Sequence, residues 1–211
     1  MVRPKTAGDV GSATEIFARR VDPGRALAQD AGRVASACHA MALRLHRGGK
    51  ILVFGMGAAA TDAQHIAVEF VHPVIVGKRA LPALSLTNDV ATLTGLVAER
   101  GADDVFAHQI RHASRPDDIA LGVSDDDRCR AVLRGLEEGA SRGLLTVALV
   151  GGVRALDGPI ATSPAVAHVI PARTDDPRVI KEVQVTTYHI LWELVHVFFE
   201  QPGVLGPAVV R

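Results

Sequence analysis

The sequence predicts an α/β protein built on a parallel sheet, and three observations carry that prediction. Short apolar runs such as KILVFG at 50–55 and LLTVALV at 144–150 lack polar alternation, as strands covered on both faces require. Stretches with helical periodicity separate most of these runs. The chain is 48% apolar over 211 residues, enough for one core with helices on both sides of a sheet.

In order, residues 13–48 place apolar side chains at helical spacing among Arg and Asp. They are interrupted at Asp22-Pro23-Gly24, where Asp can cap one helix and Pro can open the next. Gly48-Gly49 stops the second helix before the strand at 50–55. A helix over 59–71, a strand ALSL at 83–86, helices over 89–98 and 103–113 and a strand DIALGV at 118–123 follow. Then come a helix over 127–142, the strand at 144–150, a last strand VAHVIPA at 166–172 and a long helix over 176–199. The chain shows no linker, low-complexity tract or long repeat.

Lys plus Arg and Asp plus Glu both number 23, so no overall field draws in nucleic acid or an anionic membrane. No uncharged apolar stretch approaches the roughly 20 residues that span a bilayer, and MVRPKTAGDVGS is not a signal segment. Cys38 and Cys129 have neither metal nor redox spacing. A soluble cytoplasmic protein is expected. Gly55-Met56-Gly57 lacks the third glycine of a dinucleotide fingerprint, so no nucleotide cofactor is expected.

With nine histidines, the chain twice uses the pattern His, three residues, Glu, two residues, His: HIAVEFVH at 65–72 and HILWELVH at 189–196. On a helix, steps of four and seven residues turn about 40° and about −20° from the first, so each triple shares one face. His65, Glu69, His72, His189, Glu193 and His196 are thus candidate ligands for a divalent metal such as zinc, iron, nickel or manganese. The same spacing also fits core and helix-end histidines, His72 preceding Pro73 and His196 lying in an apolar helix. His108 and His112 lie four apart with no acid in register and read as a solvated face, and His39 and His46 as packing or surface residues.

Several segments together resemble the sugar isomerase (SIS) domain family: Gly49-Lys50-Ile51-Leu52-Val53-Phe54-Gly55, Asp62-Ala63-Gln64-His65, Leu81-Pro82-Ala83-Leu84-Ser85-Leu86-Thr87, Asp104-Val105-Phe106, and Arg115-Pro116 with Gly122-Val123-Ser124. The branch is that of the phosphoheptose isomerases and the DnaA initiator-associating protein. The resemblance implies a three-layer αβα fold with a five-stranded parallel sheet, and homotetramers with active sites where subunits meet. It divides the chain into N-terminal helices (1–48) of the same domain that make oligomer contacts, an SIS domain (49–200) and a tail (201–211). It also implies aldose–ketose isomerisation through an enediol, with Glu69 as base and His189 as acid, and Asp89 near that site. In some relatives the positions of His65, Glu69 and His189 bind zinc with a Gln that corresponds to Lys181 here.

The phosphate loops depart from the family. Gly-Asn-Gly-Gly-Ser is here Gly55-Met56-Gly57-Ala58-Ala59, without the hydroxyl, and Ser-Thr-Ser-Gly-Asn-Ser is Ser124-Asp125-Asp126-Asp127-Arg128-Cys129. Two like charges at 4 Å repel by about 1 kcal/mol in water and about 4 kcal/mol at an effective dielectric of 20, which opposes a phosphate dianion. Ordinary helix capping also accounts for acids at this place. Ser124, Asp125, Asp126 and Arg128 are expected to meet a carbohydrate-like ligand. Two rival expectations remain: a non-catalytic tetramer acting through a protein partner, and a metalloprotein of new function on the same scaffold.

Overall fold

The computed structural model describes residues 13–201 and 203–206. Strands β1 (Ile51–Gly55), β2 (Ala83–Ser85), β3 (Ile119–Ser124), β4 (Leu145–Gly151) and β5 (His168–Ala172) pair in parallel in the order β2-β1-β3-β4-β5. The helices are α1 (Ala13–Gln29), α2 (Ala31–His46), α3 (Ala58–Val71), α4 (Val90–Arg100), α5 (Val105–Ala113), α6 (Arg130–Ser141), α7 (Pro159–Thr162) and α8 (Pro177–Glu200). Every residue of β1, β3 and β4 is buried, because alternate side chains enter two separate cores. Ile51 and Val53 pack with α1, α2, α3 and α8; Leu52 and Phe54 pack with α4, α5, α6 and α7. This is the expected five-stranded α/β fold. Among the described residues no helix is long and apolar enough to cross a membrane. The expected tail at 201–211 lies mostly, and the start of the helical extension before residue 13 wholly, outside the described residues.

Two boundaries differ from the sequence reading by more than two residues. Helix α1 runs through Pro23, which is buried, and the break comes instead at Asp30. The Asp30 carboxylate caps no amide. It holds Arg173, just past β5, through a bidentate pair at 2.9 and 3.0 Å, and Arg33 at 3.2 Å. A tertiary ion pair therefore sets the turn between the first two helices, a signal that local capping rules do not contain. Helix α6 begins at Arg130 rather than Asp127, because Asp126 Oδ1 accepts from the Arg128 amide and the Asp127 carbonyl accepts from the Ile160 amide, holding these residues in a loop.

The strand order turns back between β1 and β3, and such a switch point opens a crevice beyond the carboxyl ends of the strands, where ligands bind in doubly wound folds. The Gly55–Gly57 turn and the loop after Ser124 leave the sheet there. Close approach is built in: a Cβ on Gly55 would stand 2.7 Å from the Val123 carbonyl oxygen. A Cβ on Gly151 would run into the Asp125 carbonyl and stand 2.6 Å from Cγ2 of Ile180. Gly151→Ala is thus expected to displace the Asp125 loop and to lower unfolding stability in urea by about 1–3 kcal/mol; an unchanged midpoint would show that this packing has slack.

Candidate functional site

Two residues separate the end of β1 from the start of α3, and positions 62, 65 and 69 share the face of α3 toward α8. The partner face of α8 carries Lys181, Tyr188 and His189. Asp62 is 2% exposed, and a carboxylate so buried needs a cation or several donors. Lys181 Nζ donates to Asp62 Oδ2 at 2.7 Å, to Thr61 Oγ1 at 3.0 Å and to the Ala58 carbonyl at 3.2 Å. The Tyr188 hydroxyl lies 2.7 Å from His65 Nδ1, and His65 Nε2 lies 3.1 Å from Glu69 Oε1. The His189 ring stands edge-on to both, with centroids 5.2 Å from His65 and 4.9 Å from Tyr188.

His65, Glu69 and His189 each bring a ligand atom into one group in which all such atoms lie within 4.8 Å of one another. Two imidazoles and a carboxylate are a common donor set for zinc and its neighbours, and open positions suit catalysis. The 3.1 Å between Nε2 and Oε1 matches neighbouring donors on one ion at bond lengths of about 2.0–2.2 Å. Lys181 is not among the donors, since its ammonium is engaged at the start of α3. The same cluster also sets a carboxylate beside imidazoles, the arrangement that general acid–base chemistry uses.

The second halves of the two histidine rows do not join this group. His72 is exposed at the C-terminal end of α3, where its amide donates to the Val68 carbonyl at 2.7 Å. Glu193 is exposed one turn beyond His189. His196 is 2% exposed, with Nδ1 2.8 Å from the Trp192 carbonyl and Nε2 2.9 Å from the Arg79 carbonyl. Both nitrogens face backbone carbonyls and neither faces the cluster, so His196 stands apart from that group and ties the segment after α3 to α8. Asp89 is the N-cap of α4, accepting from the Thr92 amide at 3.1 Å and the Thr92 hydroxyl at 2.6 Å. Those hydrogen bonds hold its carboxyl below the usual carboxylate range.

The loop after β3 adjoins the same crevice. Ser124 is buried, its hydroxyl accepting from the Asp126 amide at 3.4 Å, while Gln184 of α8 donates to its carbonyl at 2.7 Å. A cavity of about 350 Å³ is lined by Asp125, Asp126, Asp127, Arg128, Arg154 and Asp175 among others. Arg128 is exposed and pairs with Asp127 at 3.5 Å. Burial pushes the Asp125 carboxyl up; the charges of Asp62 and Asp126 act in the same direction and Lys181 opposes them. Lys181 and Asp62 therefore sit electrostatically between the acidic loop and the histidine cluster.

Sequence reasoning did not assign Asp62 and Tyr188 to the site. The only tyrosine of the chain stands immediately before His189, about 100° around the helix toward the buried side, and that was the available signal.

Comparison with known proteins agrees with this fold. A family model described as SIS domain matches residues 23–151. The phosphoheptose isomerase of Solidesulfovibrio magneticus is 39% identical over 175 residues, 82% of this chain and 83% of that protein. That of Thermodesulfovibrio yellowstonii is 36% identical over 166 residues, covering 77% and 79%. Among solved structures, a phosphoheptose isomerase from Francisella tularensis superposes with a TM-score of 0.78 at 26% identity, covering 90% of this chain and 98% of that one. The phosphoheptose isomerase from Neisseria gonorrhoeae gives 0.77 at 26%, covering 86% and 95%.

Two measurements separate the roles just described. His196→Ala removes a buried ring and its hydrogen bonding to backbone and opens a cavity, so it is expected to cost about 2–5 kcal/mol in chemical unfolding while leaving any metal uptake unchanged. Loss of metal at unchanged stability would return His196 to the ligand set. For Asp125 the folded value lies above the unfolded one, so its ionised form costs stability at neutral pH and that cost disappears as pH falls through the folded value. Because the group is exposed, Asp125→Asn should raise stability at pH 7 by no more than about 0.5 kcal/mol and remove the gain seen on acidification.

Proposed function

This chain belongs to the SIS domain family, and from that premise we propose that it is an aldose–ketose isomerase acting on a carbohydrate derivative, with Glu69 and His189 as the reacting pair. The convergence of Glu69 with two imidazoles, on helices that meet only through tertiary packing, carries this reading. In the forward direction the Glu69 carboxylate takes the proton from the carbon beside the sugar carbonyl. His189 gives a proton to the carbonyl oxygen, forming an enediol. Return of the proton from Glu69 to the neighbouring carbon, with His189 accepting one from the adjacent hydroxyl, completes the exchange. Each group works best when it can both give and take a proton near neutral pH. His65 holds the carboxylate in place at 3.1 Å.

A divalent metal held by His65, Glu69 and His189 would supply polarisation of a carbonyl oxygen. Asp89, Ser124, Asp125, Asp126 and Arg128 are proposed to surround the remainder of the ligand. The acids around the loop favour a polyol or a less anionic sugar over a phosphate dianion. In this reading the chain works in the cytoplasm as a homotetramer, with residues 49–200 as the catalytic unit and residues 1–48 lending helices to its contacts. The exposed side chains of Val68, Val71, Val74, Ile75 and Val76 would lie in such a contact. The acidic loop also favours a second reading, a non-catalytic tetramer engaging a protein partner.

Ketoses and ketose phosphates, sedoheptulose 7-phosphate included, are to be incubated with the protein in D₂O and followed by proton NMR. Deuterium should enter the carbon beside the carbonyl, and Glu69→Gln or His189→Asn should slow that by about 10²–10⁴-fold. No exchange at stoichiometric protein would leave the non-catalytic reading; rapid turnover of the heptulose phosphate would refute the argument from the acidic loop.

A further inference from the structure

Beside the Gly55–Gly57 turn, at the carboxyl end of β1, lies a cavity of about 480 Å³ whose chemistry is unlike that of the acidic one. Met56, Leu93, Val97, Ala98 and Phe106 form its walls, and no charged side chain among the described residues lines it. The Phe106 ring rests on Phe54 of β1 with centroids 5.1 Å apart, so this part of the wall belongs to the core. Among the described residues only Thr87 and Thr94 bring side-chain hydroxyls to the lining, and both are partnered within the protein. Thr94 donates to the Val90 carbonyl at 2.7 Å, and Thr87 Oγ1 lies 2.7 Å from Ser85 Oγ and 3.3 Å from the Ala60 carbonyl. A saccharide hydroxyl entering the cavity would exchange water for few new partners, whereas an alkyl group gains by leaving water. The cavity also adjoins the acidic loop. Gly55 lines it and pairs with Val123, one residue before Ser124, and neighbouring strands lie about 5 Å apart. A ligand over the Ser124–Arg128 loop therefore comes within reach of it.

We propose that this cavity is a specificity subsite for an alkyl or acyl substituent, so that the ligand of this chain is a neutral, amphipathic carbohydrate derivative. The inference rests on the reading of the crevice as a carbohydrate site and deepens it by naming the substrate class. The polyol end meets the acids at 125–127, and the apolar end passes Met56, which stands where the related loop has asparagine. An unbranched thioether adapts to substituents of differing length. Mostly apolar concave sites with a few polar groups, placed at a switch point of the sheet, are where small ligands bind in such folds. Both halves of the crevice disfavour a sugar phosphate: the acids repel its dianion, and the cavity offers little to its hydroxyls.

Methyl and n-hexyl β-D-glucoside, the latter below its micelle-forming range, are titrated into the full chain labelled with ¹³C-methyl methionine and followed by calorimetry and NMR. A glycoside cannot open to a carbonyl, so binding is read apart from any turnover. The hexyl glucoside should bind about 30-fold or more tightly than the methyl one, since each methylene taken from water gains up to about fourfold. The Met56 methyl signal should shift with the hexyl compound while that of Met41, buried in α2, stays in place. Ala98→Phe and Val97→Asp change exposed positions on the cavity wall, so both should fold and lose most of the chain-length gain. Equal affinity for the two glucosides, or no binding of the hexyl one, would overturn the inference. So would a gain that survives in both variants with Met56 unmoved, as binding in the apolar groove between α1 and α8 would give. The isomerase reading is decided separately by the deuterium exchange: a chain-length gain without exchange defeats that reading alone, and exchange without the gain defeats this inference alone.

Discussion

A carboxylate buried at the seam of two helices organises this molecule's site. Asp62 is nearly inaccessible, and a carboxylate so placed needs a cation or several donors. It therefore draws Lys181 from the first turns of α8. The ion pair holds α8 against α3 in the register seen here. That register brings His189 to His65 and Glu69, although the two segments lie more than a hundred residues apart in the chain.

The sheet supplies the setting for this seam. Because β1 lies between β2 and β3, the chain leaves β1 and β3 in different directions at their carboxyl ends. The start of α3 and the Ser124–Arg128 loop end up side by side there, with Lys181 close enough to both for its charge to be felt at Asp125. One ammonium thus serves two acidic groups across the crevice. In a loop that presents several carboxylates, this cation and the arginines at 128 and 154 offset part of the negative charge.

The two repeated histidine rows separate by environment rather than by pattern. On α3 the row begins over the seam with α8 and ends exposed, so His65 and Glu69 face the cluster and His72 faces water. On α8 the order is reversed in effect: His189 lies at the edge of the seam and His196 is enclosed between two backbone carbonyls. A helix face is a stripe, and whether a stripe lies over a partner, a cavity or solvent depends on what packs against each turn.

The alternation of apolar runs with helical stretches determined the fold class and nearly every element of this chain, because burial on both faces of a parallel strand leaves a local signature. The motifs near Asp62, His65, Glu69 and His189 likewise made the family and the central cluster legible, since a helical step of four is itself a statement about shared direction. Tertiary structure alone decided the break at Asp30, which answers to Arg173 across the fold, and the start of α6, which answers to Ile160. It also decided that Lys181 turns to Asp62, that His196 spends both nitrogens on carbonyls, and that Tyr188 stands behind His65. The physical reason is common to all of them: a polar group's partner is set by desolvation in the folded state, and periodicity shows which way a side chain points without showing what will be waiting there.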